Sequence, residues 1–186
     1  MADTLFSLAE QIRRCTSCPL YKNRMLAVPG EGKVGSRLML IGEAPGAEED
    51  RVGLPFVGRS GKFLDVMLSG IGLNRNDVFV TGACKCRPPE NRTSMSKELV
   101  TCRELWLKKQ ILLVDASVVV LLGSSALWSV LGVKEVKKWH GKLVVRDGRK
   151  YFVTYHPSAG MRFPAVRKLM EKDFENFGKM LNAINK

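Results

Sequence analysis

The sequence lacks the features that mark membrane, secreted and repeat proteins. Its longest uninterrupted apolar run, residues 118–122, is far shorter than the roughly 20 residues that a membrane-spanning helix needs. The first residues show no basic stretch followed by an apolar one, so we expect no secretory signal peptide. We find no internal repeat, low-complexity segment or Pro/Gly-rich linker. With 186 residues, the chain is expected to form one domain over residues 1–186.

Acidic residues are scarce relative to basic ones. The chain has 18 Asp and Glu residues against 30 Lys and Arg residues, which gives a formal net charge of +12. Such an excess favours a polyanionic partner, with nucleic acid as the first candidate and an acidic membrane surface as the second. Hydrophobic residues (45%) and charged residues (26%) occur in ordinary globular proportion, which argues against disorder.

The five cysteines are an odd number, which favours a metal or redox role over a disulfide framework. Cys15 and Cys18 form a CxxC pair, a spacing that lets two thiolates reach one metal ion or cluster. Cys86 and Cys102 could complete a four-cysteine site for structural zinc or an iron–sulfur cluster. Cys84 would point the same way as Cys86 in an extended segment, so its spacing leaves it a candidate ligand. The alternative, that all five are buried small hydrophobic residues, fits the CxxC poorly because that pair lies in polar, basic sequence.

Strands and helices are predicted to alternate along the chain. Short apolar runs predict strands at residues 38–41, 78–81, 118–122, 143–145 and 151–153, the last two flanking a turn at 147–148. Helical spacing of apolar residues predicts helices from a cap at 4 to residue 13, over 60–68, from a cap within 93–96 to 113, from a cap at 124 or 125 to 131, and over about 165–184. This alternation is typical of a parallel α/β sheet with helices on both faces.

Three segments that could carry chemistry each follow a predicted strand, at residues 42–46, 82–89 and 156–158. The loops that leave the carboxyl ends of parallel strands gather at one edge of the sheet, so we expect these segments on one rim. Phe56 lies in a Pro/Gly-restricted loop, where it could stack on a flat ligand or fill the core. His156 directly follows a strand and is the better catalytic candidate of the two histidines, the alternative being a hydrogen-bonded structural histidine.

Together these motifs resemble those of one enzyme family, the iron–sulfur (family 4) uracil-DNA glycosylases. The matching segments, in the family's order and spacing, are CPL at the second cysteine, GEAPGAEEDRVGLPFVGRSGKFLD, KCRPPENR and HPSAGMR. The resemblance implies an α/β fold with three layers, α/β/α, around a central four-stranded parallel sheet. It also implies a monomeric, nucleoid-associated enzyme of the prokaryotic cytoplasm that acts on single- or double-stranded DNA and has no membrane partner.

The resemblance also implies the roles of individual residues around the base. It assigns a structural [4Fe-4S] cluster to Cys15, Cys18, Cys86 and Cys102, and it leaves Cys84 free. Phe56 would stack on the flipped uracil, and Gly42 would contact the base through its backbone. Glu43 would hold or activate the attacking water, while His156 would hydrogen-bond uracil O2 as negative charge develops there.

Further residues are implied to contact the DNA. Ser158 would help to grip the DNA backbone, Met161 would be the wedge that enters the duplex, and Arg162 would contact a phosphate. Three cations after the second strand would hold the DNA backbone at the same rim, namely Lys85, Arg87 and Arg92.

The reaction implied is hydrolysis of the N-glycosidic bond of uracil in DNA by a monofunctional, base-flipping glycosylase of base excision repair. One position departs from the family, because Thr81-Gly82 stands where an Asn of the usual Thr-Asn pair reads the Watson–Crick edge of uracil. A backbone group or water at Gly82 could replace that reader, the base preference could shift towards hypoxanthine or xanthine, or activity could be low. A non-catalytic iron–sulfur module for DNA binding or lesion sensing and a zinc-stabilised nucleic-acid module are further alternatives.

Two charged stretches receive an ordinary interpretation. The acidic residues at 48–50 are interpreted as a solvated turn without a catalytic role. The basic residues around the predicted hairpin are interpreted as a solvated face that could add non-specific phosphate contacts, namely Lys137, Lys138, Arg146, Arg149 and Lys150.

Overall fold

A computed structural model describes residues 4–184 of the chain. The described strands are β1 Leu38–Gly42, β2 Val78–Gly82, β3 Val118–Leu122, β4 Leu143–Arg146 and β5 Arg149–Thr154. The helices are α1 Leu5–Arg13, α2 Ala47–Val52, α3 Arg59–Ser69, α4 Ser96–Cys102, α5 Lys108–Val114, α6 Ser124–Leu131, α7 Val136–Trp139, α8 Pro157–Arg162 and α9 Pro164–Ile184. A π-helical turn, Arg103–Leu107, joins α4 to α5. Over residues 4–184, no helix is both long and apolar enough to cross a membrane.

The strands form one sheet in the order β2-β1-β3-β5-β4. The first four strands in this order are parallel, which confirms the predicted parallel core of the sheet. β4 adds a fifth, antiparallel strand at one edge, paired with β5 through a two-residue hairpin. Asp147 and Gly148 both have left-handed φ angles, 51° and 74°, which suit the twist of a tight hairpin.

The central strands are buried on both faces because successive side chains point into opposite helical layers. Met39 and Ile41 of β1 pack into the cluster that contains α1, α4, α5 and α6. Leu38 and Leu40 of the same strand pack into the cluster that contains α3 and α9. The predicted α/β/α arrangement of three layers is therefore confirmed.

The predicted helices are present, with differences inside and between them. The helix predicted to end at residue 113 is interrupted by the π-helical turn, and α2, α7 and α8 were not predicted. The interpretation of residues 48–50 as a solvated turn is wrong for Glu49 and Asp50, which are buried within α2. Burial is tolerated because backbone N–H groups donate to both carboxylates, Met25 to Asp50 and Gly46 and Gly58 to Glu49.

The register of the strands brings their carboxyl ends into line. Gly42 of β1 pairs with Gly82 of β2, and Leu122 of β3 pairs with Thr154 of β5. The loops that follow these four strands therefore leave the sheet at one edge, as expected from the sequence.

Candidate active site

A cleft of about 500 Å³ opens at the carboxyl edge of the sheet. Seven residues singled out from the sequence line it: Glu43, Phe56, Gly82, Arg92, His156, Ser158 and Arg162. The first and the last of these, Glu43 and Arg162, are 119 residues apart in sequence, yet the aligned strand ends bring them together. A concave site of this size, lined by polar and apolar groups in similar proportion, can bind a ligand that carries both kinds of surface.

Phe56 stands in the cleft in a conformation that non-glycine residues rarely adopt, with a φ of 52°. A Cβ atom on Gly42 would lie 2.5 Å from Cζ of the Phe56 ring, and one on Gly61 would lie 1.7 Å from the Phe56 carbonyl oxygen. Both glycines are thus required for the ring to sit where it does. The ring centroids of Phe56 and His156 are 5.8 Å apart, with the planes inclined at 32°.

His156 caps the N-terminus of α8. The backbone N–H of Ser158 donates to His156 Nδ1 at 3.2 Å, and Ser158 Oγ lies 2.8 Å from the same atom. An Nδ1 that accepts the N–H bond carries no proton, so the proton of the neutral ring is on Nε2. Nε2 lies on the side of Gly42, 3.4 Å from the place of a Cβ there. Burial lowers the pKa of His156 to about 4, so the ring is neutral at pH 7.

Glu43 directly follows β1 and is partly buried in the cleft. Its Oε1 accepts a hydrogen bond from the backbone N–H of Ser94 at 2.6 Å, which fixes the carboxylate to the loop before α4. Nothing in the sequence indicated Ser94, because a backbone donor can come from any residue type.

The predicted position of Lys85 at the DNA-facing rim is wrong, because its side chain is buried. Its Nζ donates to Thr81 Oγ1 at 2.7 Å and to the Gly82 carbonyl oxygen at 2.6 Å. Burial lowers the pKa of Lys85 to about 8. The oxygens at the end of β2 attract the ammonium inwards, so it cannot reach a DNA phosphate.

Gly82 lines the cleft, but the space beside it is already filled. A Cβ atom on Gly82 would lie 2.6 Å from the Cys84 carbonyl oxygen and 3.3 Å from that of Glu43. Both contacts are with backbone atoms, which cannot swing aside as a flexible side chain can. Gly82 therefore replaces the family's Asn at a position where the path of the backbone leaves no room for a side chain.

The other predicted cations are partly engaged within the protein. Arg92 lines the cleft and pairs with buried Glu98 through two hydrogen bonds of 2.6 and 3.0 Å. Arg87 is half-buried, and its Nε donates to Asn91 Oδ1 at 2.8 Å. Asn91 has a left-handed φ of 55°, so this bond supports a strained turn at the mouth of the cleft.

Ser158, Met161 and Arg162 lie together on α8, beside the cleft. They line an adjoining open depression with Arg59 and others. Phe163, which sequence reasoning missed, is half-exposed at the end of α8, and the Arg162 guanidinium lies 5.3 Å from its ring centroid.

Four of the five cysteines line one small cavity, namely Cys15, Cys18, Cys86 and Cys102. Arg24 Nη1 donates to Cys86 Sγ at 3.0 Å. The pKa of the Cys102 thiol is lowered because the Cys84 thiol donates a hydrogen bond to it. The same hydrogen bond and burial raise the pKa of Cys84, and burial raises the pKa of the Cys18 and Cys86 thiols. Cys84 is buried and does not line the cavity.

The four thiols of this cavity are the residues that could hold a metal centre. Within residues 4–184, no three His, Cys, Asp or Glu side chains are close enough to hold a single metal ion as the structure stands. Four cysteine thiolates are the ligand set of structural zinc and of a [4Fe-4S] cluster alike, so the donor set fits an iron–sulfur cluster.

The basic residues near the hairpin are engaged more than the sequence suggested. Lys138 pairs with Glu135, Arg149 pairs with Asp115 at 3.4 Å, and Arg146 donates to the Leu131 carbonyl oxygen. Arg146 and Arg149 flank the hairpin turn that precedes β5, so they lie at the opposite end of the strands from the cleft, whereas Lys138 belongs to α7, which precedes β4.

Comparison with known proteins agrees with this geometry. The family described as "Uracil DNA glycosylase superfamily" matches residues 29–184. The chain is 39% identical over 191 residues to a type-4 uracil-DNA glycosylase of Saccharolobus solfataricus, covering 97% of this chain and 88% of the relative.

Two further type-4 uracil-DNA glycosylases are similar over most of their length. One from Pyrobaculum aerophilum is 41% identical over 182 residues, covering 93% of this chain and 92% of the relative. One from Thermotoga maritima is 38% identical over 173 residues, covering 90% of each chain. Because the superfamily match and these alignments each cover most of the chain, the protein belongs to the uracil DNA glycosylase superfamily and, within it, to the type-4 uracil-DNA glycosylases.

Proposed function

We propose that this protein is a monofunctional uracil-DNA glycosylase, a hydrolase that removes uracil from DNA in base excision repair. The observation that carries the proposal is the pairing of Phe56 with His156 across one cleft, their ring centroids 5.8 Å apart. A flat ring and an N–H donor facing one space suit a planar base that has been flipped out of the stack. Membership of the superfamily and the names of the type-4 relatives support the same substrate.

The base is held by stacking and by one fixed donor. Phe56 stacks on the flipped uracil, and the Nε2–H of His156 donates to uracil O2. Because His156 stays neutral at pH 7, it stabilises the departing base as a hydrogen-bond donor and does not transfer a proton. The backbone at Gly82 forms the adjacent wall, in place of a side chain that reads the base edge.

The chemical step is displacement of the base by water. The bond between C1′ and N1 breaks, its electron pair leaves with uracil, and positive charge develops on the sugar. Glu43 stabilises that charge and accepts a proton from the attacking water, whose oxygen bonds to C1′. The Ser94 N–H holds Glu43 Oε1 and so orients the carboxylate for this role. The uracil anion takes up a proton from solvent after it leaves, and Glu43 returns its proton to solvent. The products are free uracil and an abasic site, and no lysine forms a covalent intermediate.

Cys15, Cys18, Cys86 and Cys102 would hold a [4Fe-4S] cluster. The common cavity of the four thiols supports this assignment, and the position of Cys84 outside the wall of that cavity supports its role as a bystander. When bound, the cluster would supply structural support to the loop that follows β2. The hydrogen bond from Arg24 to Cys86 Sγ would offset the negative charge of the thiolates.

The DNA backbone would lie across the mouth of the cleft. Arg92 and Arg162 would face phosphates there, Ser158 would donate to one, and Arg87 would hold the turn beside them. Met161, exposed at the end of α8, would enter the space that the flipped base leaves. The enzyme would act as a monomer on chromosomal DNA in the cytoplasm of a prokaryote.

The test is release of uracil from defined oligonucleotides. Protein purified without oxygen should leave alkali-labile sites in strands that contain uracil, alone or opposite guanine or adenine, and the His156→Ala variant should leave far fewer. Iron and sulfide analysis should give a four-iron cluster per chain. Protein that carries the cluster and binds uracil-containing DNA without releasing the base would contradict the proposal.

A further inference from the structure

The loop that carries Phe56 is held at both ends by charged side chains, Glu49 on one side and Arg75 on the other. On one side, the buried carboxylate of Glu49 accepts hydrogen bonds from the backbone N–H groups of Gly58 at 2.8 Å and Gly46 at 3.1 Å. On the other side, Arg75 Nη2 donates to the Pro55 carbonyl oxygen at 2.7 Å. Phe56 lies between these two anchors.

The loop needs fastening because its conformation is unfavourable by itself. The φ of 52° at Phe56 lies in the left-handed region, which a bulky residue leaves readily unless its surroundings hold it there. The glycines at 42 and 61 leave space for the Phe56 ring and the Phe56 carbonyl oxygen, but they make no attractive contact that would hold the loop. The attractive contacts come from Glu49 and Arg75.

The two anchors are built differently from the surface ion pairs of this chain. Glu49 is 8% exposed and makes both hydrogen bonds to N-cap residues, Gly46 of α2 and Gly58 of α3. It therefore fixes the starts of two helices whose preceding loops form walls of the cleft. Arg75 is mostly buried and reaches the loop from the turn before β2, where it also pairs with Glu31 at 3.5 Å and with Asp65 at 3.7 Å. Hydrogen bonds that involve a charged group in such surroundings are strong and directional.

We propose that Glu49 and Arg75 are positioning residues that hold Phe56 as a preformed stacking platform for the flipped base. This inference rests on the proposed function, because the base is the ligand that the platform receives. Loss of either anchor lets the loop relax, so that only a fraction of molecules present the ring to the cleft. Apparent affinity for the base then falls in proportion to that fraction, so a platform formed in about a tenth of molecules binds about tenfold more weakly.

The test compares Glu49→Gln and Arg75→Met with matched variants of a neighbouring pair. Glu48 and Arg51 form an ion pair on the exposed face of α2, so Glu48→Gln and Arg51→Met make the same chemical changes away from the loop. For each protein we would measure kcat and KM on a uracil oligonucleotide, inhibition by free uracil, thermal stability, and hydrogen exchange of residues 53–61.

We expect the two anchor variants to raise KM and the inhibition constant of free uracil by about tenfold, with faster exchange confined to residues 53–61. The Glu48 and Arg51 variants should stay within about twofold of the wild type, as surface pairs contribute little. In a Phe56→Leu background, Glu49→Gln should add little further loss, because the ring that it positions is gone.

Two results would overturn the inference. One is anchor variants that match the Glu48 and Arg51 variants in uracil inhibition and in exchange. The other is a general loss of stability with faster exchange throughout the chain and unchanged uracil inhibition for the folded fraction, which would mean a purely structural role. If the wild type releases no uracil, the proposed function fails, and the exchange of residues 53–61 still decides whether the anchors hold the loop.

Discussion

The Nδ1 atom of His156 accepts the backbone N–H of Ser158, and this contact decides which ring nitrogen carries the proton. The N–H that remains, on Nε2, lies towards Gly42 and the cleft. A residue two positions along the chain thereby makes His156 a donor to the base and not an acceptor. The same turn starts α8, so the orientation of the ring is fixed by the helix that it caps.

The pH dependence of the enzyme should reflect this neutral histidine. Because burial lowers the pKa of His156 from 6.5 to about 4, kcat/KM should show no inflection from this residue between about pH 5 and pH 8. Folding disfavours the protonated form, so the stabilising contribution is complete above the unfolded pKa and is lost as pH falls from 6.5 towards 4. Rate profiles and thermal denaturation across this range measure both effects. An inflection near pH 6.5 that persists in His140→Gln and disappears in His156→Gln would contradict the assignment.

Replacement of Glu43 by Gln should reduce uracil release by roughly 10²- to 10⁴-fold, because the amide neither accepts the proton of the water nor stabilises positive charge on the sugar. Binding of DNA with an abasic site should stay close to that of the wild type. Single-turnover assays separate the two effects. Glu48→Gln serves as the control, since Glu48 is exposed and paired with Arg51. Full activity of the Glu43→Gln variant would exclude the proposed role of the carboxylate.

Substitution of Gly82 should lower the stability of the protein, even when the new residue is the Asn that is usual in the family. Gly82→Ala would bring Cβ within 2.6 Å of the Cys84 carbonyl oxygen, and the strain should lower the free energy of unfolding by about 1–3 kcal/mol. Gly82→Asn should lose uracil release as well. Gly70→Ala is the control, because its Cβ would approach no atom closer than 3.4 Å. Wild-type stability combined with faster uracil release in Gly82→Asn would show instead that the loop rearranges readily.

Substitution of a cluster ligand and substitution of Cys84 should differ in their effect on the iron content of the protein. Cys84→Ala should keep the iron and sulfide of the wild type, because Cys84 is buried beside the cavity and not in its wall. Cys102→Ala should lose most of the cluster, and with it the order of the loop after β2. Iron and sulfide analysis of anaerobically purified protein measures both. Equal iron loss in the two variants would mean that Cys84 takes part in binding the cluster.

Local sequence was enough to predict most elements of the fold. The strand at 118–122 was predicted with its observed bounds because a β-branched apolar run closed by Gly123 is compatible with little except a buried strand. Short helices escaped prediction because α2 and α8 have six residues each, too few to show a periodic pattern. The edge strand β4 was predicted as one arm of the hairpin, but the expected sheet had four strands. The structure shows that β4 pairs with β5 and so adds a fifth strand.

Predictions of individual side chains depended on where their partners lie. Phe56 and His156 reached the cleft as expected, since His156 comes directly after β5 and Phe56 lies in the restricted loop between α2 and α3. Lys85 was placed wrongly, since a lysine in a basic loop is ordinarily solvated. Only the assembled sheet shows that Thr81 and Gly82 offer it oxygens in the interior.

A resemblance of motifs implied the residues that suit a flipped base, whereas the sequence by itself determined the layers and the order of the elements. These follow from hydrophobic period, turn residues and motif spacing, which are local properties of the chain. The tertiary structure alone decided that His156 donates from Nε2, that Gly82 has no room for a side chain, and that Glu49 and Arg75 fasten the Phe56 loop. Each of these depends on backbone atoms of distant segments, and a backbone N–H or carbonyl group leaves no trace in the identity of the residue that supplies it.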